Sequence, residues 1–348
     1  MTMIKRLGKP LIEYEVLISL ERHLDLSGHT IDLAGVKFFQ MSQKDILDWG
    51  IDRSMSAFHK QFYDAVVSKP VALMYEKCHS SDEAMENARI KLNTALNMLR
   101  IALLIDHDPR IISWRIWDEQ LLFHADEESA LREKGKPSTA HLGFESGFRS
   151  WQLLIDDTYA KQIVDSKRLL DGLFLGHKAQ SKIYGRLRRA LEWIGGSVTR
   201  EHLDDKIVDI CTALETLLTT RQDGRKGEAI SLRMMLLYSH LKVPFFDPVK
   251  LFEIYKKRSD IVHGSNRGIC SDSEYKSAQW IAGDVFKKVL TYIQTHNITQ
   301  HSDFIEKLES DRTTIEKSVD FWKSTPYYKD ITIFVSKVFE ERFQKGNP

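Results

Sequence analysis

Two side chains that can hold a phosphate and move a proton stand close together in the C-terminal half of the chain. The segment 255–264 reads YKKRSDIVHG and carries Arg258 and, five residues later, His263. Arginine is a permanent cation whose planar donor fork suits a phosphate, and histidine exchanges a proton near neutral pH. The pair therefore has the groups that cleavage of an RNA phosphodiester needs without a metal ion.

The spacing alone is weak, and the surrounding residues give it weight. Similar spacings of arginine and histidine occur elsewhere in the chain, at Arg22/His29, Arg53/His59, Arg100/His107 and Arg233/His240. Arg258 and His263, however, lie at the end of a well-marked helix. Asp247 is a suitable N-cap for it, and Pro248 is favoured at a first helical position. Gly264 stands where a C-terminal cap glycine belongs.

A structural role is the alternative for both residues. Arg258 could cap carbonyl groups or pair with Asp260 or Glu253, while His263 closes the helix end. On an ideal helix a spacing of five residues separates two side chains by roughly 140°. The two groups therefore meet at one phosphate only if the arginine stem bends, the helix loosens, or they reach it from different sides. Three neighbours are candidates for substrate binding or solvation, namely Lys256, Lys257 and Ser259.

The composition is that of a globular protein. Of the 348 residues, 42% are hydrophobic and 28% are charged, and no apolar run approaches the length of about eighteen residues that predicts a membrane span. The first ten residues have no apolar stretch after their basic residues, so a secretory signal is not expected. His296 and His301 are expected on the surface. The cysteines are far apart, which indicates a reducing cytoplasm without a zinc site or disulfide framework; they are Cys78, Cys211 and Cys270.

The formal charge of +1 conceals an uneven distribution. Residues 182–267 contain sixteen Lys/Arg and eleven Asp/Glu, an excess of five that leaves the remainder near −4. This asymmetry favours contact with a polyanion in the C-terminal half, with an ordinary solvated surface as the alternative. Lys182, Arg186 and Arg189 share one helix face within this region, a stripe that is typical of a solvated surface.

Residues 1–160 predict an α+β domain of unassigned role. Strands are expected over 11–18, 30–34, 111–117, 121–123 and 148–155. A capping box at 80–83 opens a helix that runs to about residue 105. The charged segment 126–138 is expected to be a loop or a solvated helix.

From residue 161 onward the apolar spacing is helical. Helices are expected over 178–194, 203–220, 228–241, 248–263, 273–296 and near 304–308, followed by an apolar segment at 331–335. Gly195 and Gly196 are expected to end the first of them. The helix over 228–241 is apolar almost all round, which predicts burial. Arg233 in its middle needs a partner, and Glu215 is the candidate.

Four landmarks in a fixed order cover roughly residues 180–295. They are RRALEW at 188–193, DICTALETLL at 209–218, SLRMMLL at 231–237 and YKKRSDIVHG at 255–264. Together they resemble the HEPN superfamily and, within it, the ApeA-like branch. Many active members have Asn, Asp or His directly after the motif arginine, whereas this chain has Ser259. A serine at this position resembles the pattern of the ApeA-like branch.

The resemblance implies a mainly α protein, with a HEPN-like helical bundle over 161–300, a helical extension over 301–348 and the α+β domain before them. It implies a homodimer in which two copies of Arg258 and His263 face each other across one cleft. The activity implied is that of a metal-independent endoribonuclease, without a cofactor, acting on RNA as a toxin or in antiviral defence. A non-catalytic module for oligomerisation or nucleotide binding is the alternative.

Overall fold

A computed structural model describes residues 10–20, 24–49, 63, 67, 70–105, 125–134, 139–141, 153–154, 157–173, 180–243, 247–264 and 268–344. The chain divides into two compact units, 1–171 and 172–348. It is mainly helical, with an antiparallel sheet in the first unit and a helical second unit, as the sequence predicts.

The first unit contains a six-stranded antiparallel sheet. The strands along the chain are β1 (Ile12–Leu20), β2 (Leu24–Asp25), β3 (Ile31–Leu33), β4 (Val36–Gln40), β5 (Pro70–Cys78), β6 (Ala125–Glu133), β7 (Thr139–His141) and β8 (Leu153–Leu154). The spatial order in the sheet is β3-β4-β5-β1-β6-β7, and β2 and β8 form a separate parallel pair. Val16, Leu17 and Ile18 are all buried although they alternate between faces. Strand β1 is therefore buried on both sides at the centre of the sheet.

Three described helices belong to this unit: α1 (Gln43–Asp48), α2 (Ser81–Ile105) and α3 (Asp157–Asp171). Helix α2 packs on β1 and β5, and its predicted range is confirmed. Its first turn is capped as expected, because the Glu83 backbone N–H donates to Ser80 Oγ at 3.2 Å. The Glu83 carboxylate in turn accepts from the His79 backbone N–H at 3.1 Å.

Strand β6 corrects the expectation of a loop or solvated helix over 126–138. Residues 125–133 pair with β1, and two cations near the end of the strand face acidic residues of β1. Arg132 forms an ion pair with Glu15, and Lys134 lies 3.0 Å from Glu13. Strand β5 had no counterpart in the sequence prediction. The expected strands at 111–117 and 121–123 lie outside the described residues, as does 148–155 apart from β8.

The second unit is helical throughout its described part. Its helices are α4 (Lys182–Ser197), α5 (Leu203–Leu218), α6 (Lys226–Leu241), α7 (Pro248–Val262), α8 (Asp272–Thr295), α9 (His301–Leu308), α10 (Arg312–Lys323) and α11 (Tyr328–Phe339), with a π-helical turn at Glu340–Gln344. Helix α5 packs against α4, α6, α7 and α8, and α6 is enclosed by α5 and α7–α11. The predicted burial of α6 is thereby confirmed.

Two helical predictions in this unit need correction. Gly195 and Gly196 do not end a helix, because α4 runs through them to Ser197. Gly195 and the residues on either side of the pair, Ile194 and Ser197, are buried. Packing of this kind offsets the helix cost of a glycine, which is about 1 kcal/mol. Helix α10 lies within the predicted helical extension over 301–348, but no separate helix was predicted at Arg312–Lys323.

The unit boundary falls later than residue 160. Helix α3 belongs with the sheet, since the first unit extends to Asp171. Residues 301–348 belong to the same unit as the helices before them, and α10 and α11 pack directly on α6. The C-terminal segment is therefore part of the bundle that positions the candidate site.

Candidate functional site

Helix α7 carries the predicted pair, and its ends are set by local chemistry. The Asp247 carboxylate accepts a hydrogen bond from the Val249 backbone N–H at 2.9 Å, and Pro248 occupies the first turn. At the other end His263 is the C-cap, and Gly264 follows with a φ of +72°. This left-handed conformation favours glycine. The predicted start and stop signals are confirmed.

Arg258 is held against helix α5. Its Nη2 lies 2.9 Å from Glu215 Oε1, and its guanidinium carbon lies 5.5 Å from the centre of the Tyr255 ring. The side chain is only 19% exposed, and its Nε is buried without a hydrogen-bond partner among the described residues. Arg258 pairs with neither Asp260 nor Glu253, which corrects the expected structural alternative. The guanidinium is thus fixed in place while part of the side chain remains open to solvent.

Glu215 joins three helices through one carboxylate. Oε1 also accepts from the Tyr255 hydroxyl at 2.7 Å, and Oε2 accepts from Lys226 Nζ at 2.6 Å. Burial, and then the hydrogen bond to Glu215, raise the pKa of Tyr255, so the phenol remains a donor. Two cations, Arg258 and Lys226, share this one anion. The cluster therefore keeps a net charge of about +1, which suits an anionic ligand.

The close approach of helices α6 and α7 depends on Gly227. A methyl group on Gly227 would lie 2.7 Å from Tyr255 Cδ1, which is closer than side chains pack. The absence of a side chain lets the Tyr255 ring lie over the start of α6, where Lys226 reaches Glu215. Neither Lys226 nor the Tyr255 hydroxyl was identified from the sequence as part of the site. No periodicity signals a contact between residues on three separate helices.

His263 is exposed and its imidazole makes no hydrogen bond or ion pair with any described residue. Its backbone N–H donates to the Ser259 carbonyl at 3.0 Å and so closes the helix. Arg258 points toward Glu215 on α5, and the two predicted residues do not contact each other. The structure thus places both groups on one helix end but does not bring them together within one chain.

The three candidate substrate-binding residues differ in their availability. Lys257 Nζ donates to Glu274 Oε1 at 2.5 Å and to the Ile269 carbonyl at 3.2 Å, and the hydrogen bond to Glu274 raises the pKa of Lys257. Lys256 is exposed, lies 5.2 Å from the centre of the Tyr327 ring and forms only a long, solvent-exposed ion pair with Asp330 at 3.9 Å. Ser259 is partly buried. Lys257 is therefore already bound within the fold, whereas Lys256 can still reach a ligand.

Arg233 is not paired with Glu215, and that prediction is wrong. Its guanidinium forms a hydrogen-bonded ion pair with Asp223 and donates through Nε to Glu309 Oε1 at 2.6 Å. It also donates to the Leu218 carbonyl at 2.8 Å. The side chain is 3% exposed, so Arg233, Asp223 and Glu309 form a buried structural network that a ligand cannot reach. The pairing of Arg233 with Glu215 was predicted from their positions in the sequence, whereas in the structure Glu215 pairs with Arg258.

A second arginine closes the end of helix α5. Arg186 Nη1 donates to the carbonyl oxygens of Thr216 at 2.9 Å and Thr219 at 3.1 Å. These are groups that a helix C-terminus leaves without an internal partner. His301, which was expected on the surface, is partly buried beside them, and its Nε2 lies 2.9 Å from the Leu217 carbonyl. Burial lowers the pKa of His301 to about 4, opposed by that hydrogen bond.

We expect the stability of the protein to fall as the pH drops from 7.5 to 5 because of His301. Its pKa is about 4 in the fold and about 6.5 when unfolded, so the unfolded state binds the proton first. The expected loss is about 2 kcal/mol in the free energy of unfolding. Denaturant unfolding at both pH values measures it. His301→Gln should reduce the loss sharply; an equal loss in that variant would contradict the assignment.

Among the described residues, no group of three or more His, Cys, Asp or Glu side chains is arranged to hold a metal ion. The cysteines Cys78, Cys211 and Cys270 are buried and free. No helix in the described part of the chain is long and apolar enough to cross a membrane.

Comparison of the chain with known protein families, with curated proteins and with solved structures gave no match. The resemblance to the HEPN superfamily therefore rests on the landmark residues themselves. Any function inferred from this resemblance depends on the chemistry that Arg258 and His263 can perform in the geometry described above.

Proposed function

We propose that the chain is a metal-independent endoribonuclease that works as a homodimer, in the cytoplasm, as a toxin or antiviral-defence effector. The observation that supports this best is the state of the two groups on α7. Arg258 is fixed by Glu215 and its side chain is still 19% exposed, and His263 is exposed without a side-chain partner among the described residues. A fixed guanidinium that solvent can reach suits phosphate binding, and an exposed imidazole suits proton transfer.

The reaction would proceed by internal attack. His263 takes the proton from the ribose 2′-hydroxyl, and the 2′-oxygen forms a bond to phosphorus while the bond to the 5′-oxygen breaks. The His263 of a second copy gives a proton to that 5′-oxygen. Arg258 binds the phosphate and stabilises its developing charge. The products are a 2′,3′-cyclic phosphate and a 5′-hydroxyl, and DNA cannot react because it has no 2′-hydroxyl.

A second copy resolves the separation of the two groups. Within one chain Arg258 faces Glu215 and His263 does not contact it. In a symmetric dimer, residues from both copies can approach one phosphate from different sides. Val262, which precedes His263, is 49% exposed and provides apolar surface next to the imidazole. These features support pairing through the end of α7.

A non-catalytic module for oligomerisation or nucleotide binding is the second candidate. The Arg258–Glu215 ion pair favours it, because an arginine committed to a carboxylate has a structural use already. The two candidates differ in one testable respect. A module for oligomerisation or nucleotide binding leaves RNA unchanged, whereas the nuclease creates new RNA ends.

We expect the purified protein to cleave single-stranded RNA in the presence of EDTA and to leave a DNA strand of the same sequence intact. An RNA with one 2′-deoxy substitution at a mapped cleavage site should be resistant at that site alone. Mass spectrometry of the products should show 2′,3′-cyclic phosphate and 5′-hydroxyl ends. Cleavage that EDTA abolishes, or that proceeds equally on the 2′-deoxy site, would contradict the proposed reaction.

A further inference from the structure

Four cations gather around the end of helix α5. Lys182, Arg186 and Arg189 follow one another at spacings of four and three residues on α4 and so share one face. Arg186 donates to the Thr219 carbonyl at 3.1 Å, and Arg221 stands two residues beyond Thr219 in the following turn. The contact between α4 and the end of α5 therefore brings the stripe and Arg221 to the same region.

Within the described residues, this group of cations has no acidic partner. None of the four side chains forms an ion pair with Asp or Glu in the described parts of the chain. Asp223, two residues after Arg221, is bound to Arg233 instead. Burial, followed by the charges of Arg189 and Arg221, lowers the pKa of Arg186, which places these guanidinium groups within one another's field. Other arginines of the unit do face a carboxylate, as at Arg200, Arg225 and Arg258.

We propose that this basic patch, formed by Lys182, Arg186, Arg189 and Arg221, binds the phosphate backbone of RNA outside the Arg258/His263 pair. Lys182, Arg189 and Arg221 are exposed, whereas Arg186 is partly buried and adds its charge beside them. Exposed cations attract phosphates, and the release of condensed ions supplies affinity that does not depend on sequence. That the polyanion is RNA rests on the proposed function. The basic patch accounts for much of the excess positive charge of residues 182–267.

The basic patch lies next to the candidate site along helix α5. Glu215 faces Arg258 and Tyr255 on α7, and the carbonyl of its neighbour Thr216 faces Arg186 on α4. Both contacts fall within the last turn of the helix, which rises about 5.4 Å. The same turn of α5 therefore supports both Arg186 of the patch and Arg258.

Binding to a fluorescent single-stranded RNA tests the proposal, measured by anisotropy between about 50 and 200 mM salt. The full chain carrying His263→Ala serves as parent so that cleavage cannot interfere. The patch variant adds Lys182→Gln, Arg189→Gln and Arg221→Gln, whereas Arg186 is kept because it closes the end of α5. Each lost phosphate contact lowers the slope of log K against log salt by roughly 0.7, so we expect a reduction of about 2 and at least a tenfold loss of affinity at low salt.

A matched control removes the same charge elsewhere on this unit. It combines Arg312→Gln, Lys323→Gln and Lys337→Gln, three exposed cations that each pair with a carboxylate three or four residues away in the sequence. The control should keep the slope of the parent. Equal effects in both triple variants, an unchanged slope in the patch variant, or binding of DNA but not RNA would overturn the proposal.

The outcome is separable from that of the nuclease assay. If the unmodified protein cleaves no RNA but RNA binding still depends on the patch, the nuclease proposal is rejected and the patch proposal is retained. If the unmodified protein cleaves RNA but the patch variant binds RNA like its parent, only the patch proposal is rejected.

Discussion

Replacing His263 by alanine is expected to slow RNA cleavage by at least about 100-fold, because a positioned acid or base contributes 10²–10⁴ in rate. The imidazole is exposed and makes no side-chain contact with described residues, so the free energy of unfolding should stay unchanged. Single-turnover rates on a labelled RNA measure the first effect, and denaturant unfolding measures the second.

A matched control for this variant is His202→Ala. His202 is also an exposed histidine of the second unit, and it precedes helix α5 without a side-chain capping bond. The His202→Ala variant should cleave RNA at the same rate as the unmodified protein. Cleavage that persists in His263→Ala at the rate of this control would remove His263 from the mechanism.

Arg258→Gln separates catalysis from structure at the same site. After the substitution Glu215 still accepts from Tyr255 and Lys226, so the carboxylate does not become an isolated buried charge. Loss of a donor to the developing phosphate charge typically costs 10²–10³ in rate. A variant that loses stability but cleaves normally would instead assign Arg258 to the fold.

Replacing Arg233 by methionine is expected to lower the free energy of unfolding by about 3–5 kcal/mol. Arg233 is the counterion of two carboxylates, Asp223 and Glu309, which are 7% and 3% exposed. Methionine retains much of the side-chain volume but leaves these charges unpaired, apart from Arg342, which lies 3.4 Å from Glu309. Urea unfolding followed by circular dichroism measures the loss.

The exposed ion pair of Arg312 and Glu316 provides the control for this effect. Its side chains are 63% and 54% exposed, and exposed pairs contribute about 0–1 kcal/mol. Arg312→Met should therefore change the free energy of unfolding by less than about 1 kcal/mol. The triple variant Arg233→Met/Asp223→Asn/Glu309→Gln should recover part of the loss, since no buried charge then lacks a partner. Equal losses in Arg233→Met and Arg312→Met would contradict the account.

Helix α7 was predictable because its boundaries are encoded locally. An aspartate and a proline at its start, and a glycine at its end, act on the backbone within one turn. The burial of α6 was predictable for a similar reason, since its apolar residues leave no polar face. Both predictions needed only residues that are close together in the sequence.

The partners of charged groups were not predictable in this way. Arg233 is bound by Glu309, 76 residues away, and Arg258 by Glu215, 43 positions earlier. Only the packing of helices decides such contacts. Strand β6 was missed for the same reason: its charged sequence indicates solvent exposure, but Arg132 finds Glu15, 117 residues earlier, across the sheet. The candidate pair itself could be named, whereas Lys226, which completes the charge cluster, could not.

The turn between helices α5 and α6 has little freedom to change in length. Surface turns ordinarily accept extra residues, but this one is anchored at two points. Asp223 binds the buried Arg233, and Lys226 reaches back to Glu215. One additional residue would pull one of these anchors out of place and disturb either the bundle interior or the support of Arg258. Affinity tags or reporter domains spliced into the chain should therefore avoid residues 219–226.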